Sequence, residues 1–314
     1  MWKYIVKKLL LAIPVLLGIT IIDYAIMSLA GSPLEMMGGP RMTAAGIALK
    51  AEELGLDQPV WMQYIRWLGE VLKGNLGTCY KSYRPVAEII SENIGPTLLL
   101  MGTSLIVGLL IALPAGIYSA LHRYKKRDYA VVTASFFAGS IPGFFLALLL
   151  TYFFNAKLGW LPSGGMVTAG TGGGFLDVAR HMVMPVTVLA VSVAASNVRY
   201  VRSAVLEILE TDYLRTARSK GIGRRKVINK HALRNALLPI VTMIGMQIPM
   251  LFGGAVIVEQ IFQWPGLGLI AMNAITGRNY PVIMGVCLLS AVVVLLTNIL
   301  TDIVYALVDP TIKY

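Results

Sequence analysis

The sequence has few charged residues, cysteines and histidines for its length. Of its 314 residues 14% are charged, whereas a soluble domain carries about 25%. The two cysteines, Cys79 and Cys287, lie far apart, and the three histidines have no ligand neighbour at metal-site spacing, so neither a disulfide framework nor a metal site is expected. No Gly-Lys dipeptide occurs, which excludes a P-loop for ATP. Hydrolase patterns and a chain of intramembrane carboxylates and histidines are lacking too, so the sequence predicts neither an enzyme nor a proton relay.

What the chain has instead is apolar sequence. Hydrophobic residues make up 56%, and the mean hydropathy is +0.71, which indicates an integral membrane protein. The amino-terminal apolar run lacks a convincing small-residue cleavage site, so it is interpreted as a retained span rather than a signal peptide. Six transmembrane helices are predicted: Leu9–Leu29, Leu98–Leu121, Tyr129–Phe154, Met182–Val198, Leu237–Val258 and Val282–Ala306.

The basic residues predict the orientation. With an even number of spans both termini lie on one side, and 18 of the 27 Lys and Arg residues fall on that side. This side is therefore expected to be cytoplasmic. The net charge of +11 then reflects topology, and no nucleic-acid partner is predicted.

The first external segment, 30–97, is too long for a simple turn. It predicts a helix over Met42–Leu54 that Gly55 ends, and a second over Pro59–Leu72 followed by Gly74. The second helix has an apolar stripe fit to lie on the membrane or against a neighbouring span, and such packing is favoured over substrate contact. In the third external segment Trp264 and Tyr280 are placed for an interfacial aromatic belt.

Small residues and prolines mark the spans. Gly108, Ala112, Gly116 and Ala120 recur at every fourth position and predict a close helix–helix seam. Pro114, Pro142, Pro185 and Pro249 lie inside spans two to five and can kink them. The third and fifth spans are expected to line a pathway, with Ser140, Met246, Gln247 and Met250 as candidates. Asp23 is the one clearly intramembrane carboxylate, for which snorkelling to the interface is favoured over a functional role.

A cytoplasmic loop between spans four and five reads ETDYLRTARSKGIGRRKVINKHALRNALLP, from Glu210 to Pro239. Thr211 or Asp212 can cap a short helix that Gly221 closes. About nine residues are too few for an isolated helix in water, so it needs a docking surface. Tyr213, Leu214 and Ala217 fall on one side at helical spacing. The alternative is a solvated basic connector.

Within this loop, RTARSKG followed by HALRNALLP resembles the signature loop of ABC-importer permeases, in their peptide/nickel branch. IFQWPGLG and the segment GLDQPVWMQYIRWLGEVLKGNLGTCYKSYRPV are similar to other parts of the same permeases. The general family pattern is only partly met. Arg215-Thr216-Ala217 stands where Glu-Ala-Ala is usual, and Gly221 lies eighteen positions before Pro239 rather than thirteen, which the resemblance assigns to a longer form in this branch.

The resemblance implies an all-α ABC type I importer permease fold in the plasma membrane of a prokaryote. It divides the chain into 1–97, the first span with the external helices, and 98–314, a five-helix core with the coupling loop 203–236. It implies a second permease, two ATPase subunits that bind the ATP, and an external solute-binding protein. The coupling residues it implies are Asp212, Tyr213, Leu214, Arg215, Thr216, Ala217, Arg218 and Gly221.

Three functions stay open at this point. The first is ATP-driven import of dipeptides or oligopeptides, with a nickel or other metal chelate as the alternative substrate. The second is a secondary transporter or channel that works without ATP, and the third is a membrane scaffold. Neither a bound nucleotide nor an ion relay is found in the chain, which favours an energy source on another subunit.

Overall fold

The computed structural model describes residues 2–34, 44–170, 172–221, 223 and 226–308. In this part of the chain the regular structure is helical, apart from one isolated β-bridge between Thr78 and Pro85. The helices, numbered here in chain order, are α1 Trp2–Leu29, α2 Ala44–Leu54, α3 Val60–Leu72, α4 Val86–Leu121, α5 Lys126–Ser140, α6 Gly143–Leu150, α7 Phe175–Leu209, α8 Asp212–Ser219, α9 Leu233–Ile261, α10 Leu267–Thr276 and α11 Tyr280–Val308. Two π-helical segments, Thr151–Lys157 and Val227–Ala232, follow α6 and precede α9. The predicted all-α class is confirmed.

Four helices in the described residues are long and apolar enough to cross a membrane. They are Val6–Leu29 of α1, the whole of α4 and α7, and Tyr280–Ile303 of α11. The pair α5 and α6 makes a fifth if it is one broken span. Helix α9 covers the range predicted for the fifth span, but part of its side chains lies outside the described residues. The number of six spans stays a prediction.

The break between α5 and α6 is at Ile141 and Pro142, and the two helices meet there at 90°. Pro142 has no N–H to continue the helical ladder, and it disfavours helical geometry in the residue before it. Ile141 accordingly has extended backbone angles, φ −78° and ψ 119°. The predicted kink is therefore confirmed at Pro142, whereas α4 and α7 continue through Pro114 and Pro185.

By its internal contacts the chain divides into two compact units, Met1–Thr97 with Pro265–Leu296, and Leu98–Trp264 with Thr297–Tyr314. The core of the first unit contains residues of α1, α4, α10 and α11. In it α3 packs on α1: the hydroxyls of Thr20 and Tyr64 are 3.0 Å apart, and the Tyr24 hydroxyl donates to Gln63 Oε1 at 3.1 Å. The predicted packing of α3 is confirmed for this face. The predicted division at residue 97 into two domains remains a prediction.

The glycine signals in the external segment are confirmed. Helix α2 ends at Leu54 and Gly55 follows with φ +67°. Helix α3 ends at Leu72, and Gly74 has φ +86°. Both glycines adopt a left-handed conformation that L side chains adopt with strain.

The second unit is built around α7, which packs against α5, α6 and α9. Helix α4 lies against α7 through the predicted seam of small residues: Ala112 and Ala120 are buried, and a Cβ on Gly116 would lie 2.7 Å from Val201. A Cβ on Gly108 would lie 2.6 Å from Val193. The seam is confirmed, and its partner is in the same chain.

The predicted aromatic belt is wrong. Trp264 is fully buried in a cluster of the second unit, and Tyr280 is buried in the core of the first. The Tyr280 hydroxyl donates to the carbonyl of Met27 at 2.8 Å and also to that of Gly31. Both aromatic rings are therefore used for packing within the chain, so neither is available for the membrane interface.

Candidate coupling site

The short cytoplasmic helix predicted from the sequence is α8, Asp212–Ser219, eight residues long. The N–H of Leu214 donates to the carbonyl of Thr211 at 3.2 Å, and the Thr211 hydroxyl donates back to Ile208 of α7 at 2.5 Å. At the other end Gly221 has φ +78°. The structure thus confirms a helix that begins after Thr211 and a left-handed glycine that ends it.

Among the described side chains of α8, an apolar one, Leu214, holds the helix to its own loop. Leu214 is fully buried, together with Val227 and Ala232 of the π-helical segment before α9 and against Ile208 and Leu209 at the end of α7. The predicted docking face, which contained Leu214, is therefore revised. Leu214 faces the chain because this contact is where an eight-residue helix obtains the packing that it needs.

The opposite side of α8 is turned outward. At 100° per residue, Asp212, Thr216 and Ser219 lie on the face opposite Leu214, and all three are exposed. Tyr213 lies at the flank, 42% exposed, and its hydroxyl accepts a hydrogen bond from Asn235 Nδ2 at 2.7 Å. The side chains of three further predicted coupling residues, Arg215, Ala217 and Arg218, lie outside the described residues.

Beside this loop lies an ion pair that the sequence analysis did not find. The Asp128 side chain is 3% exposed, and it accepts hydrogen bonds from Arg202 Nε and Nη2, both at 2.7 Å. It also accepts from the backbone N–H of Tyr124 at 3.0 Å and from the Ser119 hydroxyl. A bidentate ion pair holds the two side chains in a defined orientation, and here the carboxylate also accepts two further hydrogen bonds. It joins the first turn of α5 to the carboxyl-terminal part of α7.

A second pair reaches the start of α8. Arg123 Nη1 forms an ion pair with Glu210, the residue that follows α7. Both side chains are exposed, so water screens the pair. The hydrogen bond that Arg123 donates to Glu210 raises the pKa of the Arg123 guanidinium above its usual value. The two ion pairs connect residues 74 and 87 positions apart, a separation at which sequence spacing gives no signal.

Two of the four candidate pathway residues, Ser140 and Gln247, have described side chains, and their contacts are with other residues. Ser140 is exposed at the end of α5, with its hydroxyl bonded to the carbonyl of Phe136 at 2.8 Å. Gln247 of α9 is half-buried and donates to Asn197 of α7. The side chains of Met246 and Met250 lie outside the described residues. A pathway role for these four residues stays a prediction.

Helix α7 carries a polar face that the sequence analysis missed. Ser192, Ser196 and Ser203 are exposed and share one side of the helix with the half-buried Arg199. The Arg199 guanidinium lies 4.5 Å from the centre of the Phe136 ring, and Gly139 packs against Ala195. We call these four α7 residues the hydroxyl stripe. The signal was present as serines at four- and seven-residue spacing inside an apolar helix.

Cofactor sites are not suggested by the geometry. Within the ranges that the structure describes, no group of three or more His, Cys, Asp and Glu side chains could hold a metal ion. The Asp23 carboxylate interacts with the Cys287 thiol of the same unit.

Several helices long and apolar enough to cross a membrane indicate a multi-pass membrane protein, and comparison with known proteins gives its class. Residues 112–314 match the model of the binding-protein-dependent transport system inner membrane component, and residues 1–100 match its amino-terminal companion. The chain is 43% identical over the full length of both chains to the oligopeptide transport system permease protein AppB of Bacillus subtilis. It is 38% identical, again over all of both chains, to the glutathione transport system permease protein GsiC of Salmonella paratyphi A.

Among solved structures, inward-facing MetNI, a methionine ABC transporter, matches with a TM-score of 0.59 and 22% identity, covering 71% of this chain and 97% of that one. This likeness shows the fold alone. The chain therefore belongs to the family of binding-protein-dependent transport system inner membrane components, and the resemblance to ABC-importer permeases of the peptide/nickel branch is confirmed. It is a transport component and not an enzyme.

Proposed function

We propose that this chain is a permease subunit of an ATP-driven importer of dipeptides or oligopeptides. The observation that carries this proposal is the end-to-end identity of 43% with an oligopeptide permease. A glutathione permease at 38% is a second relative whose cargo has a peptide backbone. One relative is named for oligopeptides and the other for glutathione, itself a small peptide, which favours peptides over nickel or other metal chelates as the substrate.

The pathway is proposed to run along the hydroxyl stripe, between this chain and a second permease. Exposed serines and an arginine on a membrane-spanning helix are costly against lipid, so they are expected to face water or another protein. Hydroxyl groups can donate to and accept from peptide groups whatever the side chains of the cargo. The exposed Ser140, at the bend after α5, is the earlier pathway candidate that fits this position.

Coupling is proposed to occur through the outward face of α8, seated in a groove of an ATPase subunit. Leu214 anchors the helix from behind, and Asp212, Thr216 and Ser219 meet the ATPase, with Tyr213 at the edge. ATP binding by two such subunits would draw the coupling helices together and turn the pathway outward as rigid bodies. An external solute-binding protein would supply the cargo.

The experiment replaces Thr216 by arginine. Thr216 is exposed and its hydroxyl bonds to the carbonyl of Asp212 at 3.0 Å, so the change leaves the interior of the chain untouched but places a large charge in the proposed interface. The complex should lose its ATPase subunits on purification, or hydrolyse ATP without peptide uptake, because burying an unpaired charge costs several kcal/mol.

A matched control is Thr276→Arg. Thr276 is also exposed near a helix end, with its hydroxyl bonded to the carbonyl four residues back, but it lies in a predicted external segment. This variant should assemble and transport normally. Normal assembly and ATP-dependent uptake with Thr216→Arg would refute the coupling proposal. Uptake by the purified chain without any ATPase would instead support the secondary transporter.

A further inference from the structure

A pocket of about 170 Å³ lies wholly within the first unit, away from the coupling loop and the hydroxyl stripe. Its walls come from α1, from the segment 54–80 and from the start of α11. Apolar side chains line much of it, among them Leu54, Leu56, Pro281 and Met284. A cavity of roughly 150 Å³ accommodates a molecule the size of benzene. The pocket therefore suits a ligand of about six to eight non-hydrogen atoms, the size of one small amino acid residue.

Three groups that donate hydrogen bonds line this pocket without an acceptor. Trp67 Nε1 is buried and has no partner. The hydroxyl of Tyr80 pairs with no other described group, and burial raises the pKa of Tyr80, so the hydroxyl keeps its proton at neutral pH. The guanidinium of Arg66 is exposed and acts electrostatically on Glu70, although no carboxylate in the described residues lies within ion-pair distance of it. A buried N–H without an acceptor is costly, which points to a missing acceptor in the pocket.

The remaining polar groups of the lining are already engaged. Tyr24 donates to Gln63, and Tyr280 donates to the carbonyl of Met27. Glu70 accepts from Lys73 and from Asn75, each at 2.9 Å. The buried group of the lining that lacks a partner is thus a donor, the Trp67 N–H, with the Tyr80 hydroxyl and the exposed Arg66 guanidinium as further donors beside it.

The position of Arg66 depends on a glycine. A Cβ on Gly55 would lie 2.5 Å from Arg66 Nη1, so the guanidinium lies directly against the Gly55 backbone. Gly55 also has the left-handed conformation that ends α2. The same residue therefore ends the helix and leaves room for the cation at the pocket wall.

We propose that this pocket binds one small carboxylate-bearing residue, with its carboxylate toward Trp67, Tyr80 and Arg66 and its side chain against the apolar wall. The ligand is either a free amino acid or the carboxyl-terminal residue of a peptide, since both present the same group. Charge-assisted hydrogen bonds to a carboxylate are stronger than neutral ones, which matches a cation and two neutral donors. The proposal does not depend on peptide import.

The test uses the complex in lipid nanodiscs and saturation-transfer NMR titrations with four probes: L-valine, L-valinamide, glycyl-L-valine and glycyl-L-valinamide. At least one acid should bind, and its amide should bind at least about tenfold more weakly because a charge-assisted contact is lost. Binding of valine identifies a free amino acid as the ligand. Binding of glycyl-valine alone identifies a peptide terminus.

Two variants assign the signal to the pocket. Trp67→Phe removes the N–H and keeps an aromatic ring, and should weaken binding of the acid about tenfold. Trp61→Phe is the matched control on the same helix, because Trp61 is 60% exposed and does not line the pocket. Equal binding of acids and amides, unchanged binding in Trp67→Phe with unchanged thermal stability, or no binding of any probe would overturn the proposal and leave a pocket that holds only water.

Discussion

Removing either member of the Asp128–Arg202 pair should destabilise the second unit, and the two removals should not be equivalent. Arg202→Met leaves a carboxylate that is 3% exposed, with only the Ser119 hydroxyl and the Tyr124 N–H as partners. Asp128→Ala leaves a guanidinium that is 22% exposed and can turn toward water. The unpaired carboxylate left by Arg202→Met should therefore lower the stability more than the unpaired guanidinium left by Asp128→Ala.

The size of the effect follows from the burial of the pair. Breaking a buried pair typically costs about 3–5 kcal/mol. Because Arg202 is partly exposed, we expect about 3 kcal/mol, the lower end of this range, for Arg202→Met and about 2 kcal/mol, just below the range, for Asp128→Ala. The double variant leaves no unpaired charge. It should therefore cost less than the sum of the two, with a coupling of about 1–2 kcal/mol.

The assay is the thermal stability of the purified complex, followed as loss of monodisperse protein on heating. Arg202→Met should melt several degrees below the unchanged protein, and the double variant should recover part of the difference. The exposed pair supplies the control: Arg123→Gln should shift the melting temperature little, because water screens an exposed ion pair. Equal melting of Arg202→Met and the unchanged protein would show that the pair contributes no stability.

Three further outcomes are expected. Gly116→Ala should destabilise, because its Cβ would lie 2.7 Å from a valine side chain of α7, whereas Gly102→Ala on the same helix meets nothing within 4 Å and should be neutral; equal melting curves would contradict the seam. Gly221→Val should impair coupling by straining a backbone with φ +78°, while Gly221→Asn should retain most peptide-stimulated ATP hydrolysis. Cysteines at Lys125 and Ser163 should react with impermeant reagents only from the cytoplasm and only from outside, respectively; labelling from one side would contradict the topology.

The parts of the fold that the sequence predicts well depend on local chemistry. Gly55 and Gly74 follow the ends of α2 and α3. Both have the left-handed backbone conformation that glycine adopts most readily, so residue type predicts where these helices end. The break at Pro142 follows from the missing N–H of proline. The seam of α4 was visible because its spacing repeats every four residues, and small residues have few other reasons to recur on one face of an apolar helix.

The wrong or missing parts depend on partners distant in the chain. Trp264 and Tyr280 were assigned to an interface from residue type, but the acceptor of the Tyr280 hydroxyl is 253 positions away. Leu214 was assigned to an external partner because Val227 and Ala232, which pack on it, come later in the sequence than its own helix. Helical spacing does not predict such a contact. The Asp128–Arg202 pair was missed for the same reason. In each case the side chain finds its packing or hydrogen-bonding partner within the same chain, and this is visible only in the tertiary structure.

The continuity of α7 is what connects the two proposed sites. This helix is unbroken from Phe175 to Leu209, and α8 begins three residues after its end. At 1.5 Å per residue, Ser196 on the hydroxyl stripe is about 20 Å from Leu209. Arg202 lies between them and is paired with Asp128 in the first turn of α5, so the end of α7 and the start of α5 are expected to move as one body. A displacement of α8 by an ATPase would then reach the stripe through one rigid element.

If the Asp128–Arg202 pair transmits this displacement, Arg202→Met should lower uptake per ATP hydrolysed even at temperatures where the complex is fully folded, whereas Arg123→Gln should leave that ratio unchanged. An unchanged ratio in Arg202→Met would show that α7 alone suffices.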